Sequence, residues 1–169
     1  MLAPHGPRHV DPSRPRGRLY RAWAGFTASP LGSWLSRNIG WKLDPLLLRI
    51  SDGRFATALV IPTALLETRG ARSGRTRRNG VIYFHDGEHV IVIASKAGAP
   101  EHPAWFHNVK AHPEVRLNGE SFRAELVADE AERSRLWGLA DRVFPPFAAY
   151  RESAGRSGRV IQIVRLTPR

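Results

Sequence analysis

Five arginines and two glycines crowd into the run Arg69, Gly70, Ala71, Arg72, Ser73, Gly74, Arg75, Thr76, Arg77 and Arg78. Those residue types suit anion recognition. Glycine lets successive backbone N–H groups converge on one oxygen-rich group, the hydroxyls of Ser73 and Thr76 add donors, and arginine pairs phosphate or carboxylate bidentately. The bland alternative is a solvated hairpin tip, and the spacing is not that of a Walker loop. A second candidate is Ser95, Lys96, Ala97 and Gly98, which follow directly on an apolar run. Backbone amides and one cation can meet there at the edge of a flat ligand, although a lone strand-end lysine is commonplace. In the stretch His102 to Asn108, Trp105 and Asn108 lie three apart and so share a helix face; core packing is the simpler reading of Trp105.

Several chemistries are disfavoured. With no cysteine, disulfides, thiolate metal sites and cysteine nucleophiles are excluded. His85, His89, His102, His107 and His112 fall on different strands and helix faces with no carboxylate motif beside them, which argues against a metal centre. No nucleophile, base and orienter set stands out, so hydrolysis is not expected. The formal charge is +11, and only three of the 26 basic residues are lysine. Such an excess of planar forks implies a multiply anionic partner, although a genome-wide arginine bias would produce it too. The aromatics follow apolar patterns rather than interleaving with basic residues, which speaks against nucleic-acid binding.

The elements that must position these residues are legible. A chain of 169 residues fits one folded unit preceded by a leader. Residues 1–18 lack apolar periodicity and resemble neither a signal peptide nor a transit helix, so they are expected to be disordered. Residues 19–55 form an N-terminal helical segment: Leu19, Trp23 and Phe26, then Leu31, Trp34 and Leu35, recur at helical spacing, and a turn from Asp44 to Ile50 ends at Asp52 and Gly53. These helices either pack over one end of the following domain or lie on a membrane surface, since tryptophan flanked by arginine suits the interface. No apolar run reaches the roughly 20 residues of a membrane span. The expected location is the cytoplasm, with peripheral contact at the inner membrane face as the second reading.

Residues 56–169 read as a small antiparallel barrel. Ala64 to Thr68 is one strand. Asn79 to Phe84 pairs with His89 to Ser95 through Asp86 and Gly87, and Val115 to Leu117 pairs with Phe122 to Val127 through Asn118 and Gly119. Pro103 starts a helix over Ala104 to Ala111. Asp129 with Glu132 caps a helix from Glu130 through Val143, which Pro145 and Pro146 stop. An aromatic turn then reaches Tyr150, and Val160 to Leu166 closes the sheet.

Arg72 through Asn79 and Ser95 through Asn108, with Asp86 and Gly87 between, resemble the deazaflavin-dependent nitroreductase and quinone reductase family, most tellingly in the run Ala99 to Asn108. The resemblance covers about Leu65 to the C-terminus. It implies an α+β, mainly β fold, a split β-barrel of the FMN-binding-like type with peripheral helices, that binds coenzyme F420, a deazaflavin with a phosphate and an oligoglutamate tail. By the resemblance, Arg72, Ser73, Gly74, Arg77 and Asn79 hold the phosphate end. Ala94, Ser95, Lys96, Gly98, Ala99, Trp105 and Asn108 surround the ring. Ser95, Lys96 and Tyr150 are the implied catalytic groups, with Phe144, Phe147 and Tyr150 lining the acceptor pocket. The implied activity is hydride transfer from F420H2 to a quinone or similar conjugated or nitro acceptor; a non-catalytic carrier of F420 or lipid is the alternative. Phe144 and Phe147 stand where the family has tyrosines. A phenyl ring keeps the shape and cannot donate a proton, which favours quinones over nitroaromatics. Gly80 likewise replaces a usual proline. Monomer and homodimer both remain open.

Overall fold

The computed structural model describes residues 6–15, scattered positions between 17 and 31, and residues 61–169. Most of the expected N-terminal helical segment, including Leu19, Trp23, Trp34, Leu35 and 44–55, lies outside the described residues. Six strands follow: β1 (Thr63–Arg69), β2 (Thr76–Asp86), β3 (His89–Ile93), β4 (Glu114–Leu117), β5 (Glu120–Leu126) and β6 (Ile163–Pro168). They close a barrel in the order β1-β2-β3-β6-β5-β4, antiparallel at every seam. Within residues 61–169 three helices accompany them: α1 (Ala104–Ala111) between β3 and β4, then α2 (Glu130–Val143) and α3 (Phe147–Gly155) between β5 and β6. The expected split barrel with peripheral helices is thus the observed architecture. Among the described residues no helix is long and apolar enough to cross a membrane.

Two faces of the same strands make two cores. Ala64 and Leu66, Val81 and Tyr83, Val90 and Val92, Val115 and Leu117, Val164 and Leu166 alternate along their strands and fill the barrel with Trp105, Phe106 and Val109 of α1. Phe84, Ile91, Ile93 and Ile163 face outward and are covered by Leu136, Ala140 and Val143 of α2 and by the aromatic start of α3. That is why Val90 to Ile93 is buried on both faces and reads as a continuous apolar run. Leu66, Leu117 and Leu166 are wholly buried, each contributing about 1.5–3 kcal/mol.

The turns follow their chemistry. Asn118 and Gly119 both hold left-handed φ, +46° and +87°, as a two-residue hairpin of the mirror-image type requires. Asn118 also stitches the short β1–β4 seam, its Oδ1 accepting the N–H of Leu65 and its own N–H donating to the Leu65 carbonyl. In the β2–β3 hairpin Asp86 pairs with His89, so the two turn residues are Gly87 and Glu88, one position later than expected. Asp129 accepts the N–H of Glu132 at 2.8 Å and caps α2 as anticipated.

Several boundaries differ. β2 starts at Thr76 because the arginines themselves pair with β1, Arg77 opposite Thr68 and Arg78 opposite Glu67. β3 stops at Ile93, where Ser95 N–H turns back onto the Ile93 carbonyl. β6 starts at Ile163, since Val160 is 61% exposed. α3 runs five residues past Tyr150 to Gly155. Part of the leader expected to be disordered also has partners: His85 N–H donates to the Val10 carbonyl, Val10 N–H donates to His85 Nδ1 at 3.0 Å, and the Tyr83 phenol donates to the Arg8 carbonyl.

Burial, helped by neighbouring His9, holds the His85 imidazole below its ordinary pKa, so the ring stays neutral and can accept at Nδ1. The unfolded chain then takes up the proton more readily, and this contribution to stability is intact above about pH 6.5 and is lost as pH falls from there through the folded-state value. The protection factor of the Val10 amide should therefore drop between about pH 7 and about pH 5, as read by hydrogen exchange; unchanged protection contradicts the assignment. A second prediction concerns Asn108, whose Oδ1 accepts the N–H of Ala71 and whose Nδ2 donates to the buried Thr68 hydroxyl, each at 3.0 Å. Asn108→Leu strands both partners and should cost about 2–4 kcal/mol in urea unfolding; a loss within error of zero would show that the tie carries no load.

Candidate functional site

Two loops at the barrel rim carry the candidate residues. The first, residues 70–75, turns β1 into β2. Gly70 N–H donates to the Arg75 carbonyl at 2.9 Å, and Gly74 N–H to the Gly70 carbonyl at 2.8 Å. Gly74 has φ +64°, a backbone that favours glycine, while a Cβ on Gly70 would stand 2.6 Å from the rotatable Ser73 Oγ and 3.2 Å from the Arg75 carbonyl oxygen. Asn108 of α1 grips the Ala71 amide from inside, fixing the loop to the barrel. The side chains of the run are exposed from Ala71 to Arg78, with Asn79 half-buried opposite Leu66. Arg78 pairs with Glu67 at 2.6 Å. Among the described residues Arg69, Arg72, Arg75 and Arg77 have no carboxylate partner, so four of the run's five guanidiniums remain available to an anion.

Arg77 and Asn79 alternate with Arg78 along β2 and so share a face. On the Arg78 face lies a groove of about 570 Å³ lined by Glu67, Arg69, Thr76, Arg78, Arg116 and Glu114 among others. Its charges are partly neutralised internally, by Arg78 on Glu67 and by Arg123 and Arg169 on Glu114. Arg69 and Arg116 of this groove have no carboxylate partner among the described residues, whereas Arg72, Arg75 and Arg77 do not line it.

The second loop, residues 94–99, leaves β3. Ser95 is right-handed (φ −73°, ψ −44°) and Lys96, Ala97 and Gly98 are all left-handed, with φ of 49°, 49° and 73°. Only Gly98 adopts that region freely; Lys96 and Ala97 each pay about 1–2 kcal/mol. A right-handed residue followed by a left-handed one makes consecutive N–H groups converge into an anion-receiving concavity. Ser95 N–H is spent on Ile93, while among the described residues the N–H groups of Lys96 and Ala97 donate to no carbonyl. Lys96 Nζ lies 3.0 Å from Glu101, whose carboxyl this neighbour holds below the usual range. The pair is solvent-exposed and easily exchanged for a ligand.

α3 backs this turn. A Cβ on Gly98 would meet the Tyr150 carbonyl oxygen and Ser153 Cβ at 3.0 Å, so glycine permits both the φ and the close approach. Tyr150 thereby packs its backbone against Gly98 of this turn. Its ring stacks at tilted or edge-on angles with Phe144 and Phe147, centroids 6.0 and 6.4 Å away, and those two lie 5.0 Å apart. Phe144 and Phe147 are 2% and 1% exposed, so in this conformation they meet one another rather than solvent. The Tyr20 phenol donates to the Val143 carbonyl at the same cluster. Trp105 and Ala94 are buried in the barrel core. Trp105 packs edge-on against Phe106 and plugs one end, and Asn108 acts on the arginine loop from the same helix.

One residue escaped the sequence reading. Arg159, in the α3–β6 connection and only 7% exposed, donates to the carbonyls of Ala94, Ser95 and Ala99, with its Nε 3.4 Å from His102 Nδ1. Its position between Gly158 and the closing strand was the only signal, and nothing in its spacing separated it from the other arginines. A cavity of about 540 Å³ opens beside it, lined by Pro100, Glu101, His102, His107 and Gln162 among others. Burial lowers the pKa of Arg159 and, with the nearby guanidinium, that of His102.

The comparisons bear out the resemblance read from the rim motifs. Residues 46–168 match the sequence profile of the F420H(2)-dependent quinone reductase family. An F420H(2)-dependent quinone reductase of Mycobacterium tuberculosis is 30% identical over 149 residues, covering 82% of this chain and 99% of the relative. A solved F420-H2 dependent reductase (FDR-A) shares 32% identity with a TM-score of 0.54, covering 62% of this chain and 93% of that one. Another solved chain, a domain-swapped dimer, shares 29% identity with a TM-score of 0.55, covering 70% and 91% respectively. The chain belongs to the F420H(2)-dependent quinone reductase family.

Proposed function

We propose that the two rim loops form one binding edge for coenzyme F420 and that the enzyme reduces a quinone or similar conjugated acceptor. The observation that carries this reading is a pairing of unspent donors: free guanidiniums on the 70–75 loop and β2, and unspent N–H groups beside Lys96 on the 94–99 loop. These fit the group's two ends. Arg72 and Arg77, with Ser73, Gly74 and Asn79, suit the phosphate and its acidic tail. Lys96 and the N–H groups of Lys96 and Ala97 suit a ring edge that carries carbonyl oxygens.

The bound reduced cofactor supplies the hydride; the protein binds, orients and biases the charge. With the cofactor bound, Lys96 and the adjacent amides would hold a ring edge that carries negative charge, because fixed donors cost no reorganisation. Ser95 and the Tyr150 phenol are the groups this reading assigns to handing a proton to the acceptor. Phe144 and Phe147, packed against the Tyr150 ring, have no proton to donate. Quinones, whose protons can come from solvent, are therefore preferred to nitroaromatics. Asn108 acts upstream of all this by holding Ala71, and hence the arginine loop, against α1.

Spectral titration with oxidised F420 and steady-state oxidation of F420H2 by menadione test this together. The wild type should bind and turn over, and Arg72→Glu and Lys96→Glu should each weaken binding about tenfold or more, roughly 1.4 kcal/mol apiece. Undiminished affinity in both variants would overturn the binding edge. Binding without any menadione-dependent oxidation would make the chain a carrier instead of an enzyme.

A further inference from the structure

We propose that Arg159 is a positioning residue for the reaction: by taking the carbonyls of Ala94, Ser95 and Ala99, it holds the left-handed Lys96–Ala97 turn open and polarises the Lys96 N–H toward the cofactor ring. The inference rests on the reading of the 94–99 loop as the ring-binding edge.

Arg159 is an expensive way to tie a loop. It is 7% exposed, and among the described residues no carboxylate lies within ion-pair distance of it. A buried cation without a counter-ion is tolerated when dipoles solvate it, and here three carbonyls of one short loop do so. Ring nitrogen His102 Nδ1 faces its Nε. A guanidinium carries donors only, fixed in a planar fork, so it can engage several carbonyls at once where a lysine could not.

The loop gains two things. Strained left-handed backbone persists only where surroundings over-determine it, and at Lys96 and Ala97 the remaining restraints are the hydrogen bonds from Gly98 to Ser95 and from Ala99 to Lys96. Arg159 closes the loop from beneath. In a trans peptide the C=O and N–H point in opposite directions, so the Ser95 carbonyl held by Arg159 at 3.1 Å belongs to the same peptide unit as the Lys96 N–H aimed away from it. Positive charge on that oxygen strengthens that donor, since linked hydrogen bonds polarise one another. Arg159 thus acts through a backbone amide, without touching the ligand.

The test uses full-length ¹⁵N-labelled wild type, Arg159→Lys and Arg159→Gln. In the free proteins the Lys96 amide proton should move upfield in both variants, and exchange over 95–99 should accelerate. With F420 and menadione, the dissociation constant for F420 should rise about tenfold and kcat should fall with the menadione KM unchanged; Arg159→Lys should recover only part of each. Folded variants with an unmoved Lys96 amide, wild-type F420 affinity and wild-type kcat overturn the proposal. Should wild type fail to bind F420, the ring-edge reading fails, while the Lys96 shift in the free proteins still decides whether Arg159 polarises the amide. Should neither variant fold, wild type decides: saturation with F420 must shift both the Lys96 amide and the Arg159 Nε–H resonance, and a Lys96 amide that stays put refutes the role.

Discussion

Six strands enclose a barrel only wide enough for the alternate side chains of its own strands, and everything else about this protein's chemistry follows from that fullness. Ala64, Leu66, Val81, Tyr83, Val92, Leu117 and Leu166 occupy the interior, and Trp105 and Phe106 close one end. The filled interior is the reason the proposed cofactor edge lies at the rim. Rim loops are ordinarily the softest part of a barrel, because few buried contacts hold them. Here each of the two relevant loops is gripped from below by one buried polar side chain, Asn108 for the 70–75 turn and Arg159 for the 94–99 turn. Both grips act on backbone atoms of their loops.

The same division explains the charges. The arginines of β2 separate by strand parity: Arg78 is consumed by Glu67, whereas Arg77 on the opposite face is not. Three left-handed residues in a row are unfavourable for Lys96 and Ala97, and a fold that keeps such strain places it where converging amides have a use. Gly98 serves twice in that turn, through its φ and through the Tyr150 backbone pressed against it. α3 is thus packed directly against the turn that carries Lys96.

What was legible in the sequence was whatever local physics decides. Asn118-Gly119 announced its turn because that backbone tolerates few other residues, Asp129 announced α2 through its cap, and the apolar run of β3 announced a doubly buried strand. The arginine run and Lys96 were visible as clusters of donors, and the family resemblance gave them a ligand. Long-range contacts were not legible. That Asn108 reaches Ala71 across 37 positions, that Arg159 reaches Ala94 across 65, and that Val10 meets His85 across 75 depends on strand order, to which spacing is blind. Turn and strand limits shifted for the same reason: β2 extends back to Thr76 because β1 is there to pair with it.

The most direct trial of a shared binding edge is a crystal structure of the protein with F420. Ordered density should run from the free guanidiniums of Arg72 and Arg77 to the amides of Lys96 and Ala97, with the 94–99 backbone unmoved over Arg159. Density confined to the groove beside Arg69 and Arg116, or a 94–99 turn that has to refold to admit the ring, would contradict it.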